Sequence, residues 1–357
     1  MSFVEDHGTS IFSQILSPAG EVVGRLPDIS ADELLRCYRA MVFGRLFSER
    51  RIALQRQGRM GTFSPVTGQE AVSVGMAAPL RQGDWVLGSY REYLAYHVRG
   101  VPLLAQLDRW GGRVIGHFPR EAGCIPLQVV LGSQMLHAVG IAQAIKYDQA
   151  ANVVVAACGD GATSEGDFSE ALNFAGVFKA PVIFVVINNG WAISTPRAQQ
   201  TAANYIADRG PGFGIPGYVV DGNDILALYQ LMLDSIARAR AGEGPTLVEA
   251  ITYRLGAHTT ADDPAKYRSE TELAEWRLRD PLIRFRKFLV DRQMLTEAED
   301  RRFYAEAETE ISTTIEAFEA LPPPKVQQLF DLVYANLTPQ IQCQREQLLR
   351  ELSSRQE

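Results

Sequence analysis

The sequence predicts an α/β fold: a doubly wound, mainly parallel sheet with a helical C-terminal region. Three observations carry the prediction. Asn152–Cys158, Pro181–Ile187 and Thr246–Ile251 are short apolar runs bounded by glycine or polar turns, the pattern of strands buried on both faces. Stretches of helical period lie between such runs, as βαβ units require. The turns Gly159-Asp160-Gly161 and Asn188-Asn189-Gly190 fall at carboxyl ends of parallel strands, the edge where open α/β sheets bind ligands.

Composition sets the bounds. The chain has 357 residues, 46% hydrophobic and 22% charged, ordinary for a globular protein of two domains or one large one. A formal net charge of −7 argues against nucleic-acid binding, which needs a basic surface. No apolar run approaches the roughly 20 residues of a membrane span. The opening residues, acidic from Glu5 on, lack the basic-then-apolar order of a signal peptide and the Arg-rich look of a transit peptide, so a cytoplasmic location is expected. Cys37, Cys124, Cys158 and Cys343 have no metal-ligand spacing and are expected to be free, partly buried thiols.

Residues 1–29 carry Pro18, Gly20, Gly24 and Pro27 and read as an extended arm, available to a partner. Ser30 and Glu33 form a capping box, with Ile29 and Leu34 as a hydrophobic staple, opening a helix to about Gln57. The arginines of that helix read as a solvated face. Gly58–Gly68 is a glycine-bearing loop, and Gly68-Gln69-Glu70 opens the next helix, where Glu70 complements the dipole. Asp84–Gly88 reads as a short strand, followed by Ser89-Tyr90-Arg91-Glu92. His97 reads as a surface or packing histidine, His137 as core or interface packing. Trp110–Ala122 reads as a loop, Leu127–Leu131 as strand-like, and Gln134 to about Lys146 as a helix.

Asp167 with Glu170 signals the next helix start, which turns Phe168, Ala171, Leu172, Ala175 and Val177 toward the core. Pro196–Ile215 is loop-like, Tyr218–Val220 a strand, and Asp221-Gly222-Asn223-Asp224 a turn and helix cap. From Glu270 the chain is mostly helical and charged, broken at Pro322-Pro323-Pro324. The amphipathic segment Val326–Leu352 needs the main domain or a partner to cover its apolar face. The expected organisation is an arm over 1–29, an α/β domain over 30–320 and a helical tail over 321–357.

The chemistry concentrates at the two central turns. Asp160 offers a carboxylate and Asn189 a side-chain carbonyl. Such hard oxygen ligands suit magnesium, which completes its octahedron with phosphate oxygens and water. The unit therefore points to a magnesium diphosphate. Gly159 and Gly161 do not complete a dinucleotide fingerprint, because its third glycine position is Ser164, and no P-loop is present. A nicotinamide oxidoreductase is disfavoured on that ground.

Gly-Asp-Gly, a helix and Asn-Asn, with Asn189 following Asp160 by 29 positions, resembles the thiamine diphosphate motif. GTFSPVTGQEAVSVG, GSYREYLAYHVRG, NNGWAISTP, YRLGAHTTADDPAKYRS and DPLIRFRKFL extend the likeness over about residues 20–350. Together they resemble the α subunit of the thiamine diphosphate-dependent decarboxylase, the first component of 2-oxo acid dehydrogenase complexes. The likeness is to the bacterial pyruvate dehydrogenase type, close to the branched-chain type.

That resemblance implies thiamine diphosphate and magnesium as cofactors. It implies oxidative decarboxylation of a 2-oxo acid, pyruvate first, with reductive acylation of a lipoyl group on the acyltransferase component. By resemblance, Asp160, Asn189 and the Trp191 carbonyl hold magnesium, and Tyr90, Arg91 and Arg254 meet the diphosphate with the Gly161 and Ala162 amides. Backbone at Val129 and Leu131 meets the aminopyrimidine ring. His258 faces the reacting carbon as the catalytic residue, and Glu70 lies near the cofactor in a supporting role. The loop Thr259–Ser269 is expected to be disordered without cofactor. Thr259 and Ser269 occupy positions phosphorylated in mitochondrial relatives, a regulation not expected here. The glutamate that activates the cofactor comes from a β subunit in this family, so an α2β2 heterotetramer is implied, with sites at the α–β interfaces.

Two positions depart from relatives. Ile187 stands where branched-chain enzymes often have arginine, and Ser64 where mitochondrial pyruvate enzymes have histidine. FSPVTGQEA looks most like bacterial pyruvate enzymes, whereas the C-terminal tail leans toward the branched-chain type. The alternatives are a branched-chain 2-oxo acid (2-oxoisovalerate) dehydrogenase α subunit and an acetoin dehydrogenase α subunit. A non-catalytic assembly subunit is disfavoured by the intact Asp160, Asn189, Arg254 and His258.

Overall fold

Valine-rich runs that bury both faces fix the architecture of the computed structural model, which describes residues 12–354 apart from 113–117, 128 and 332. In chain order the strands are β1 (Phe12–Ser13), β2 (Trp85–Leu87), β3 (Val154–Gly159), β4 (Val182–Asn188), β5 (Trp191–Ala192), β6 (Thr195–Pro196), β7 (Gly217–Asp221) and β8 (Thr246–Ile251). The helices are α1 (Ala31–Arg56), α2 (Glu70–Ala77), α3 (Tyr93–Val98), α4 (Leu103–Trp110), α5 (Ser133–Tyr147) and α6 (Gly166–Phe178). They continue with α7 (Ile225–Arg240), α8 (Glu270–Arg277), α9 (Pro281–Asp291), α10 (Glu297–Glu319), α11 (Gln328–Asp331) and α12 (Pro339–Ser353).

Among the described residues the main sheet has six strands in the order β1-β7-β8-β4-β3-β2, all parallel. Side chains alternate between two cores. Val154, Ala156 and Cys158 pack with Met135, Phe168 and Leu172 of α5 and α6. Val155 and Ala157 pack on the other side, in the core that holds Met41, Val72 and Met232 of α1, α2 and α7. β4 is buried at every position. Each fully buried valine or isoleucine contributes roughly 1.5–3 kcal/mol, so this strand is a rigid base for the Asn188–Trp191 turn at its end. The doubly wound parallel sheet is the fold the sequence predicts.

Several caps follow the sequence. Ser30 accepts from the Glu33 amide at 3.2 Å, and Asp224 accepts from Leu226 and Ala227 at the start of α7. Cys37, Cys124 and Cys158 are buried free thiols and Cys343 an exposed one. His97 packs, its ring stacked on Phe43 at 3.9 Å. Of the arm, residues 1–11 lie outside the described residues. Phe12-Ser13 pairs with β7, and Ile15 and Leu16 are buried in this chain's own core.

Other expectations are corrected. Leu127–Leu131 forms no strand: Leu127 is buried, but Val129, Val130 and Leu131 are exposed, while Gln128 lies outside the described residues. Within Trp110–Ala122, Trp110 closes α4 and Arg120–Ala122 is a 3-10 turn; 113–117 lie outside the described residues. α6 begins at Gly166 with no side-chain cap, because a 3-10 turn, Asp160–Ser164, intervenes. Val177 is 69% exposed rather than in the core, and His137 is exposed on this chain, which removes core packing from its two expected roles. Two arginines of α1 leave the solvated face. Arg45 bridges Glu70 and Asp280 at 2.5 and 3.1 Å. Arg51 is 0% exposed, its guanidinium 3.6 Å from the Phe63 ring centre and also over Phe47, Tyr93 and Trp110. The tail helix α12 buries no residue on this chain; 355–357 lie outside the described residues.

Candidate active site

β3, β4 and β8 end side by side: Gly159 is in register with Ile187, and Asn188 with Ile251. Asp160, Asn189 and the segment after Ile251 therefore leave the sheet at one edge. One cavity of about 460 Å³ opens there, lined by Asp160, Gly161, Ala162, Asn189, Trp191, Tyr90, Arg91, Val129, Leu131 and His258. Thus ten sequence-predicted site residues meet in one place. The eleventh, Arg254, stands behind the wall, with Nη1 donating to the Trp191 carbonyl at 3.2 Å and Nη2 to that of Ile193 at 2.8 Å.

The geometry at the acidic corner is local. Burial raises the Asp160 carboxyl from the ordinary carboxylate range, and a Gln200 amide donating at 3.0 Å to Oδ2 partly opposes this. Asn189 donates Nδ2 to Gln69 Oε1 at 3.3 Å, so its Oδ1 is the free-facing acceptor, shared with the Trp191 amide at 3.3 Å. Gly161 must be glycine, since a Cβ there would stand 2.6 Å from Ala192 Cβ. Gly190 takes a left-handed φ of 82°, which lets the turn after Asn189 fold back.

Positive charge gathers opposite. Arg91 and Arg254 are 6% and 1% exposed. Arg91 donates to the carbonyls of Pro65 and His258 at 2.5 and 3.0 Å, and Arg254 also to the Tyr267 hydroxyl at 2.9 Å. Neither pairs with a carboxylate within 4 Å among the described residues, and the buried Nε of Arg254 has no partner there. Both guanidiniums reach His258 Nδ1, at 3.3 and 3.2 Å. Since guanidiniums only donate, Nδ1 accepts and Nε2 carries the proton. Burial first, then these two cations, push His258 down to about 4. Tyr90 stands edge-on to the imidazole at 6.0 Å.

This arrangement fits a magnesium diphosphate. Two buried, unneutralised cations and an orphaned guanidinium N–H suit phosphate oxygens. One carboxylate, one amide oxygen and one backbone carbonyl are hard donors of the number magnesium takes from protein when phosphate supplies the rest. Among the described residues no cluster of three or more His, Cys, Asp or Glu exists, so the fit rests on this mixed set.

Residues that sequence reasoning passed over also stand here. Gln200 and Asp262 come from polar loops with no local pattern; Asp262 Oδ2 accepts from the His258 amide at 2.7 Å and the Tyr267 hydroxyl at 2.5 Å. These bonds and the 3-10 turn Pro264–Lys266 shape the loop 259–269 around His258. Glu92 lines the cavity, and burial pushes it up to about 7 against the Ser89 amide. Glu70 does not line the cavity. Its carboxylate is spent on Arg45 and on the Gly68 amide at 2.9 Å, so its role is to hold α1, α2 and the Gly68 turn together.

The Dehydrogenase E1 component family model matches residues 38–327. The 3-methyl-2-oxobutanoate dehydrogenase subunit alpha of Mycobacterium tuberculosis (strain H37Rv) is 46% identical over 330 residues, covering 91% of this chain and 89% of that one. The pyruvate dehydrogenase E1 component subunit alpha of Staphylococcus aureus (strain N315) is 39% identical over 346 residues, 96% of this chain and 93% of that one. Thiamine diphosphate dependence characterises the family. On the matched length, the parallel sheet and the cavity at its carboxyl edge, the chain belongs to the dehydrogenase E1 component family, as an α subunit of a 2-oxo acid dehydrogenase.

Proposed function

We propose that this chain binds thiamine diphosphate and magnesium in the 460 Å³ cavity and, with a β subunit, decarboxylates a 2-oxo acid and passes the acyl group to a lipoyl group. One observation carries the reading: buried Arg91, buried Asp160 and His258 line one cavity, with buried Arg254 directly behind its wall, and neither arginine has a carboxylate partner among the described residues. Asp160, Asn189 and the Trp191 carbonyl hold the metal. Tyr90, Arg91 and Arg254 bind the diphosphate, with the Gly161 and Ala162 amides, and Val129 and Leu131 backbone meets the aminopyrimidine. Bound there, the cofactor supplies a carbon nucleophile and an electron sink. His258 presents a proton on Nε2 to the substrate's oxygen from a neutral ring, and Tyr90 and the flanking arginines fix that ring's orientation.

The substrate we propose is pyruvate, on the stretch that supplies Ser64 and Gln69 to the cavity wall. The second reading, a branched 2-oxo acid, rests on the 46% identity to the M. tuberculosis subunit. A β subunit is expected to complete the site, as partner in an α2β2 assembly. Tyr147 on α5 is 88% exposed, and Phe174, Val177 and Phe178 form an exposed apolar patch on α6. That patch and the uncovered α12 suit a protein partner. The 1–29 arm, 30–320 domain and 321–357 tail are part of this proposal, the tail facing a partner. Three buried free thiols suit a cytoplasmic setting, and no described helix is long and apolar enough to cross a membrane.

The test is turnover by the chain co-expressed with its β partner, with thiamine diphosphate, magnesium and an artificial electron acceptor. Pyruvate, 3-methyl-2-oxobutanoate and acetoin are compared by kcat/KM. The highest value is expected for pyruvate. No turnover of any 2-oxo acid by a cofactor-loaded assembly would overturn the reading in favour of an assembly subunit.

A further inference from the structure

Glu249 lies in the middle of β8, 0% exposed, with no lysine or arginine paired to it within 4 Å among the described residues. A buried carboxylate without a cation is costly, so both its oxygens must be met by donors. They are. Oε2 accepts from the Ala207 amide at 2.9 Å, and Oε1 accepts from Asn188 Nδ2 at 2.6 Å. The second bond settles which way Asn188 faces. With Nδ2 committed to Glu249, Asn188 Oδ1 turns to the opposite side, where it accepts from the Gly190 amide at 3.2 Å. That amide belongs to the left-handed residue between Asn189 and Trp191, both of which line the cavity.

We propose that Glu249 is a positioning residue for the metal-binding turn, setting the Asn189 side chain and the Trp191 carbonyl through Asn188 and Gly190. The inference rests on the cofactor reading above. Glutamate is required because the site presents two donors to two oxygens. A glutamine has one acceptor and one donor. If its oxygen serves the Ala207 amide, which cannot rotate away, its NH2 meets Asn188 and forces that amide to flip. Asn188 Nδ2 then faces the Gly190 N–H, donor against donor, and the turn opens. Carboxylates that orient ligand-bearing groups from outside the coordination shell typically bring 10–100-fold in metal affinity.

The experiment uses the chain co-purified with its β partner. Binding of thiamine diphosphate with magnesium is measured by calorimetry at 25 °C, and manganese is titrated by water-proton relaxation as a metal probe. The variants are Glu249→Gln, Asn188→Ala and the double variant. Each single change is expected to weaken binding about tenfold or more. The double variant should bind no more weakly than the worse single, because both cut one relay. A structural role confined to joining β8 to the Ile206–Arg209 turn would lower Tm and leave both affinities unchanged, and would overturn the proposal. Additive losses would overturn it too. Should Glu249→Gln fail to fold, Asn188→Ala decides alone, since it keeps the Glu249–Ala207 bond: affinity within twofold of the parent refutes the relay. Failure of the parent assembly to bind cofactor would instead remove the function on which the relay rests.

Discussion

His258 should remain neutral far below the pH at which histidines usually charge. A proton added at Nδ1 would face Arg91 Nη2 at 3.3 Å and Arg254 Nη1 at 3.2 Å, in a partly buried site. With its pKa near 4, about one ring in a thousand is charged at pH 7, against about a quarter for an ordinary histidine. The perturbation is Arg91→Gln, which removes one of the two cations. A unit charge at about 4 Å is worth up to about 4 kcal/mol at the effective dielectric of a protein surface. Because the imidazole is part-exposed, solvent screening reduces this, and the midpoint should rise by about one pH unit. The assay is a nitrogen-15 NMR titration from pH 8 to 4 of the cofactor-free protein labelled at histidine, with His258→Gln identifying the signal. The expected spectrum is that of the Nε2–H tautomer, constant down to about pH 5. A parent midpoint near 6.5, an Nδ1–H tautomer, or no response to Arg91→Gln would refute the reasoning. Cofactor diphosphate should draw both guanidiniums away and raise the midpoint in its turn.

Four further outcomes are expected. Asp160→Asn keeps the Gln200 hydrogen bond but removes a buried charge, so the cofactor-free chain should gain a few degrees in Tm while losing magnesium-dependent cofactor binding by calorimetry. His97, held near 4 by burial and stacked on Phe43, contributes stability that is full above its ordinary 6.5 and is lost as pH falls from 6.5 to 4; about 3 kcal/mol is at stake, and His97→Phe should flatten the acid-side loss in a Tm-versus-pH series. Glu70→Gln strands one side of Arg45, leaving Asp280, and should cost about 3 kcal/mol, read as a lower urea midpoint. Arg51 has no hydrogen-bond partner for any of its three nitrogens among the described residues and is offset only by ring faces; Arg51→Met should therefore be neutral or stabilising by thermal melting.

Much of the site was legible because its residues sit at strand ends. Asp160 and Asn189 directly follow β3 and β4, so an apolar run followed by a polar turn marks both the element and the candidate site. Arg254 and His258 follow β8 by the same logic. What stayed hidden depends on tertiary neighbours. Arg45 and Arg51 share one helix with solvated arginines, and nothing local separates a guanidinium aimed at Glu70 or Phe63 from one aimed at water. Val129–Leu131 has the composition of a strand, but the chain meets the outer edge of β2 earlier, at Cys124, which bridges Val86 in parallel. Val177 follows Phe168 by nine positions, about half a turn round α6 from the buried face of Phe168, Ala171, Leu172 and Ala175, and so it faces outward.

The outermost strand also sets an order of assembly. Ile15 is tied to the Asp224 carboxylate, 209 residues later in the chain. At roughly 5–20 residues per second of synthesis, about 10–40 s pass before that carboxylate and β7 leave the ribosome. Until then Ile15 and Leu16 have no permanent seat, and Leu16 waits longer still for Arg284, which donates to its carbonyl. The chain's first described segment is thus fastened only after more than half of the chain exists, a long-range closure of the kind that slows folding.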